Sequence, residues 1–205
     1  MLKVVAYTGG EQQENCYLVR DEATGETALI DPGFQSPALQ KALEDENITL
    51  ILLTHGHFDH IGGVDAYCMG AKVMALRQEA PLLADAELNL SAWVSPNRLL
   101  SVSPDQLLED GDTVRLGETV FTVLATPGHT AGSCCYYTEG WLFSGDTLMA
   151  STVGRTDFPT GDGRALMQSL QKLAALPGDT QVCSGHGPNS TLAREKENNL
   201  YLRAF

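Results

Sequence analysis

Thr54-His55-Gly56-His57-Phe58-Asp59-His60 gathers three of the chain's five histidines and an aspartate into seven residues. Side chains alternate along an extended segment, so His55, His57 and Asp59 share one face. A tight turn after Asp59 would send Asp59 and His60 toward a second centre. One loop can therefore serve two adjacent metal positions. Imidazoles mixed with a carboxylate suit zinc, iron, manganese or nickel without naming one of them. A solvated turn or a tag-like tract needs neither the interleaved Gly56 nor Asp59, so the stretch reads as a metal set.

Just before it, Ile48 to Leu53 is an almost unbroken apolar run bounded by Asn47, the pattern of a strand buried on both faces. The histidines thus sit past a strand end, and the same arrangement recurs downstream. His129, in Thr126-Pro127-Gly128-His129-Thr130, follows the strand-like Thr119 to Leu124. Asp146, in Ser144-Gly145-Asp146-Thr147, follows Trp141-Leu142-Phe143, and Gly145 lets backbone come close to a ligand. His186, in Ser184-Gly185-His186-Gly187, follows Gln181 to Cys183. A lone histidine in such a place is more often an ordinary core or surface residue. Beside the cluster, the later residues rise together as ligands.

Two other positions keep two readings. Asp31, in Asp31-Pro32-Gly33, is either an acceptor that holds a ligand imidazole or a turn initiator, with the turn reading ahead. Asp157 either pairs with Arg155 or supports the site. Cys134 and Cys135 fall in a strand, where buried inert thiols are the default.

Around these motifs the chain alternates strand runs with helices. Leu2 to Ala6, Cys16 to Arg20 and Thr27 to Asp31 read as a meander, and Ser36-Pro37 opens a helix ending near Asn47. Further elements are expected as a helix over Gly63 to Met69, a strand over Lys72 to Ala75 and a helix from Arg77 to about Ala84. Asp85 to Pro104, with Trp93 and two prolines, reads as an irregular loop overhanging the site. Val114 to Arg115, Thr119 to Leu124, Ser133 to Tyr137 and Trp141 to Phe143 form a second sheet. Asp162 caps a helix through Ala175, Gln181 to Ser184 is a last strand, and Asn189 to about Leu202 is a final helix. Strands followed by a helix, repeated once, predict an α+β fold with two β layers flanked by helices, a four-layer αββα sandwich.

With 205 residues, 43% hydrophobic and 19% charged, the chain is expected to form one domain over residues 1–205. A formal charge of -13 argues against nucleic-acid partners, though bound divalent ions would let a small anionic substrate approach. Five cysteines without a C-x-x-C pair argue against a disulfide framework and for a reducing compartment. The N-terminus lacks a signal-peptide pattern and no apolar run is long enough to span a bilayer, so a cytoplasmic protein without a membrane partner is expected.

The motif His55-Gly56-His57-Phe58-Asp59-His60, with Pro127-Gly128-His129, Gly145-Asp146-Thr147 and Gly185-His186-Gly187 in order, resembles the metallo-β-lactamase superfamily over nearly the whole chain. The resemblance implies the αββα sandwich and two divalent metal ions, zinc first and iron or manganese as alternatives. It implies His55, His57 and His129 on one metal, Asp59, His60 and His186 on the other, and Asp146 bridging. Gly145-Asp146-Thr147-Leu148 with Gly154-Arg155-Thr156-Asp157-Phe158-Pro159 is similar to the glyoxalase II-like branch, the hydroxyacylglutathione hydrolases and their short relatives. Full-length members of that branch carry a further C-terminal helical region with glutathione contacts, whereas this chain stops at Phe205. Their terminal histidine is usually followed by Glu-Tyr, where this chain has Gly187-Pro188.

The activity so implied is hydrolysis of a small-molecule thioester, such as S-lactoylglutathione or another 2-hydroxyacyl thioester, by metal-held hydroxide that Asp59 and Asp146 position. The first rival is a mononuclear-iron persulfide dioxygenase with a similar Gly-Arg-Thr-Asp-Phe segment, against which Gly187-Pro188 speaks. The second is a lactone or β-lactam hydrolase. A metal-stabilised binding module without turnover and a flavodiiron-type redox role stand further back, the latter because His57 occupies a position where that branch carries Glu. Substrate-binding residues and oligomeric state stay open.

Overall fold

The computed structural model describes residues 1–68, 70–94, 97–203 and 205. β1 (Leu2–Gly9) and β2 (Glu14–Asp21) pair antiparallel, and β3 (Glu26–Ile30) adds antiparallel to β2. The chain then crosses through α1 (Pro37–Leu43), whose Ser36 side chain accepts the Leu39 N–H as the predicted N-cap, into β4 (Asn47–Leu52) parallel to β3. This helix ends at Leu43, short of the expected Asn47, because β4 already begins there. Two one-turn helices, α2 (Phe58–Ile61) and α3 (Val64–Tyr67), lead to β5 (Lys72–Leu76), parallel to β4. Met69, the expected end of the helix at α3, lies outside the described residues.

The predicted Arg77–Ala84 helix divides into a 3-10 turn at Arg77–Glu79 and α4 (Ala80–Ala84), with Pro81 inside the first turn of α4. The expected loop from Asp85 to Pro104 contains a short helix, α5 (Ser91–Val94), and its Ser95 and Pro96 lie outside the described residues. A strand that the sequence pattern did not reveal, β6 (Gln106–Leu108), closes the sheet in the order β1-β2-β3-β4-β5-β6.

The second half builds β7 (Thr113–Leu116), β8 (Thr119–Ala125), β9 (Cys134–Thr138) and β10 (Trp141–Gly145) as an antiparallel meander. α6 (Gly163–Ala174) is the crossover to β11 (Gln181–Ser184), which is parallel to β10. Asp162 caps α6 by accepting the Arg164 and Ala165 N–H groups, and Leu166, Leu170 and Leu173 form its buried face. The expected helix from Asn189 instead starts as an edge strand, β12 (Ser190–Thr191), before α7 (Leu192–Asn198). Thr191 caps α7 and fixes the changeover.

Alternation along the strands explains the layering. Tyr17, Val19, Ala28, Ile30, Leu50 and Leu52 point at Phe121, Val123, Tyr136 and Phe143 between the two sheets. Their strand neighbours Cys16, Leu18, Leu29, Ile51 and Leu53 face the other way, under Leu39, Ile61, Val64 and Leu83 of the helices. Cys135, Leu142 and Val182 meet Leu166, Leu170, Leu173 and Leu192 on the far side of the second sheet. β4 is apolar and buried from Leu50 to Leu52, where both its faces are covered. The fold is the predicted α+β, αββα sandwich. Among the described residues no helix is long and apolar enough to cross a membrane.

Candidate metal centre

All seven residues singled out as ligands converge at one end of the two sheets. His55 and His57 follow β4, His60 and Asp59 lie on α2, and His129, Asp146 and His186 follow β8, β10 and β11. The rings of His55, His57 and His129 lie 4.7–4.9 Å apart, centroid to centroid. His57 Nδ1 and His129 Nε2 approach to 2.9 Å. In the second group His186 Nε2 is 3.3 Å from Asp59 Oδ2 and 3.4 Å from His60 Nε2. Asp146 stands between the groups, 3.6 Å from His60 Nε2, His129 Nε2 and His186 Nε2.

This convergence is costly unless something fills it. His55 Nε2, His57 Nε2 and Asp146 Oδ1 are buried with no hydrogen-bond partner among the described residues, and such orphans are rare in folded proteins. A cation at the centre supplies what His55 Nε2 and Asp146 Oδ1 lack, and it would meet His57 through Nδ1, the nitrogen that faces His129 Nε2. The donor set and the orphaned atoms together fit a bound divalent metal.

Surrounding hydrogen bonds fix the rings. His60 Nδ1 donates to Asp31 Oδ2 at 3.0 Å, His129 Nδ1 to the Arg155 carbonyl at 2.7 Å, and His186 Nδ1 to the Gln12 carbonyl at 3.1 Å. Each bond fixes its ring with Nδ1 turned outward and Nε2 turned toward the centre. Asp31 also accepts the Thr54 N–H and hydroxyl, at 2.8 and 2.5 Å. It therefore does more than initiate a turn, although its φ of 51° shows that it also bends the chain there. Asp157 takes the other option open to it, pairing with Arg155 through two contacts of 2.6 Å. Cys134 and Cys135 are fully buried, and burial raises both thiol pKa values, that of Cys135 to about 11.

Electrostatics divide the centre in two. Burial pushes the His57 pKa down to about 3, with neighbouring His129 adding to the effect, and burial likewise holds His55 well below its ordinary value. Both are neutral donors at pH 7. Burial also opposes charge on His60, but the carboxylates of Asp59 and Asp146 outweigh it and raise its pKa to about 10. Against the upward push of burial, His60 and His186 hold Asp59 well below the usual carboxylate range. The carboxylate-bearing half thus attracts positive charge, and the three-imidazole half offers neutral nitrogen.

One residue that the sequence reading missed ties the loops together. Glu79, 1% exposed, accepts the Gly56 N–H at 2.8 Å and the Thr130 hydroxyl and Gly132 N–H at 2.9 Å. Gly56 separates His55 from His57, and Thr130 follows His129. One buried carboxylate therefore spans both loops of the three-histidine group. An isolated glutamate in an expected helix carries no motif, so only its burial exposes the role.

The centre floors a cleft of ≈ 440 Å³ whose walls include Leu90, Trp93, Val94, Met149 and Phe158. The predicted overhanging loop supplies the first three. Arg155 lies over the Phe158 ring at 3.9 Å, and Trp93 meets the same ring edge-on at 6.4 Å.

The chain is similar to known proteins along nearly its whole length. Hydroxyacylglutathione hydrolase GloC of Haemophilus influenzae is 33% identical over 94% of this chain and 94% of its own. The crystal structure of the BLEG-1 B3 metallo-beta-lactamase superposes with a TM-score of 0.89 at 38% identity, covering 98% of this chain and 99% of that one. ETHE1 from Myxococcus xanthus superposes with a TM-score of 0.74 at 31% identity, covering 97% and 83%. The model of the metallo-beta-lactamase superfamily matches residues 9–186, a span that runs from the end of β1 to the last of the converging histidines. With this fold, this order of donors and these relatives, the chain belongs to the metallo-beta-lactamase superfamily.

Proposed function

We propose that the chain is a two-metal thioester hydrolase acting on S-lactoylglutathione or another 2-hydroxyacyl thioester. The observation that carries this reading is the meeting of two donor groups on either side of Asp146, at the floor of one cleft, in a chain matched to GloC along nearly its whole length. His55, His57 and His129 would hold one ion, Asp59, His60 and His186 the other, with Asp146 between; zinc is the first choice, iron or manganese the next. Bound divalent ions supply a water of lowered pKa and a Lewis acid for the carbonyl oxygen.

The chain's own residues do the rest. Asp59 and Asp146, acceptors only when ionised, take the hydrogens of the attacking water and so aim its lone pair. Leu90, Trp93, Val94 and Phe158 seat the acyl thioester and limit the water around it. A thiolate leaves readily, so no side chain has to deliver a proton to it. We further read residues 1–205 as one domain, because both sheets share one apolar layer, and place it in the cytoplasm on its five free thiols.

The likenesses to BLEG-1 and ETHE1 fit the lactam and dioxygenase readings equally well, so the test must separate all three. Untagged protein is analysed for zinc, iron and manganese, and the same sample is assayed for thiol release from S-lactoylglutathione, β-lactam opening, and oxygen uptake with glutathione persulfide. The expected result is about two metals per chain with thiol release that a chelator abolishes. About one iron per chain with oxygen uptake and no thiol release would replace the hydrolase by an oxygenase.

A further inference from the structure

Next to the cleft lies a second cavity of ≈ 310 Å³, whose lining includes Glu14, Phe34, Gln35, Ser91, Arg98 and Leu100. Phe58, Asp59 and Val94 line both spaces, so the two adjoin at the metal centre. Glu14 is only 3% exposed, yet its Oε2 has no hydrogen-bond partner among the described residues. A buried carboxylate oxygen without a donor is costly, and a fold that keeps one invites a ligand to satisfy it.

The surroundings are built around this carboxylate. Gly10 has a φ of 70°, and a Cβ there would overlap the Glu14 carboxylate, so the turn between β1 and β2 leaves room for the acid at the cavity wall. Glu14 also bridges His186 through the backbone, which ties the cavity to the centre. Across the cavity Arg98 Nη2 donates to the Gly62 carbonyl, leaving most of the guanidinium's N–H donors for a ligand.

We propose that this cavity binds the zwitterionic, amino-acid-like end of the thioester's thiol carrier, its ammonium on Glu14 and its carboxylate on Arg98. A ligand with a carboxylate alone would face Glu11, Glu14 and Asp59, which also line the cavity. A ligand with an ammonium alone would leave the Arg98 fork unused, although its planar shape matches a carboxylate. The ammonium pairs with the Glu14 carboxylate through a charge-assisted hydrogen bond, roughly twice as strong as a neutral one. Phe34 and Leu100 receive the methylenes that lead from the charged carbon back toward the thioester. This inference rests on the thioesterase reading for its substrate but not for its binding geometry.

The test alters the substrate first, so that it does not depend on any variant folding. Metal-loaded wild-type protein is assayed with S-lactoylglutathione, with its des-amino analogue, in which glutaryl replaces γ-glutamyl, and with S-lactoyl-N-acetylcysteamine. The analogue keeps the carboxylate and loses only the ammonium. The expected kcat/KM is about tenfold lower for the analogue, mainly through KM, because a buried acid is left unpaired. Glu14→Gln should bring the two within about twofold of each other, and Arg98→Gln should lower both together while keeping their ratio.

Equal kcat/KM for the two in wild type, or a ratio that survives Glu14→Gln, would overturn the subsite. Thiol release from the N-acetylcysteamine thioester alone would also overturn it while leaving the hydrolase intact. If no thioester releases thiol, the proposed function fails, and calorimetry with S-methylglutathione and its des-amino analogue still decides the subsite. Tighter binding of the former supports it, and equal or absent binding overturns it.

Discussion

Glu79 shows how one side chain can brace a cluster of histidines without touching their rings. Its carboxylate takes three donors from the loops that carry His55, His57 and His129, which offset only part of the burial that raises its pKa to about 7. In Glu79→Gln one oxygen becomes an NH2 group that faces N–H or O–H donors, so one loop must let go. We expect metal affinity to fall about tenfold or more, as read by competition with a chromogenic chelator. An unchanged affinity would show the loops to be held by packing alone. Gly185 acts by leaving space, since a Cβ there would overlap Asp146 Oδ1 and crowd His60 Cε1. Gly185→Ala should therefore reduce metal content per chain while the protein still unfolds cooperatively; full metal content would contradict the packing. The seven converging residues were readable as candidates because histidine beside aspartate at such density has few other uses. Glu79 and Glu14 were not, and Asp31 was so only as the second of two readings, because their roles come from what approaches them in space.

Asp21 closes β2 and reaches across to the second half of the chain. Its Oδ1 accepts the Ala23 and Thr24 N–H groups, and its Oδ2 accepts the Glu118 and Thr119 N–H groups and the Thr119 hydroxyl. Burial would raise its pKa, but the Thr119 hydroxyl and these backbone donors outweigh it and bring the value from 3.8 to about 2. A folded pKa below the unfolded one contributes stability above the unfolded value, and that stability is lost as pH falls through the folded value. Wild type should lose stability steeply between pH 3.8 and about 2, and Asp21→Asn, weaker at neutral pH, should show a shallower loss over that window. Parallel slopes in acid unfolding curves would remove Asp21 from the account. Among the elements, those with a cap or a long apolar run, such as α6 and β4, stand where the pattern put them. β6 and β12 escaped notice because short edge strands are made by the partner they join rather than by their own residues.

The two sheets bring together donors from opposite halves of the molecule, His60 and His186 being 126 residues apart. Their convergence leaves buried nitrogen and oxygen unpaired without a metal, so loading should couple to global stability. Chelation is expected to lower the thermal midpoint reversibly, with zinc restoring it; a midpoint indifferent to metal would mean that the orphaned atoms are satisfied otherwise. The αββα layering, the order of the converging histidines and aspartates and the family could be read from the chain, because period-two burial and a dense histidine motif are local and survive in one dimension. Tertiary structure alone decided that Asp31 holds His60, that Glu79 spans two loops, that Asp157 is taken up by Arg155 and that Glu14 lies buried without a partner. Those facts depend on which loops meet past the strand ends, and hydrogen bonds between residues distant in the chain leave no periodicity in the sequence.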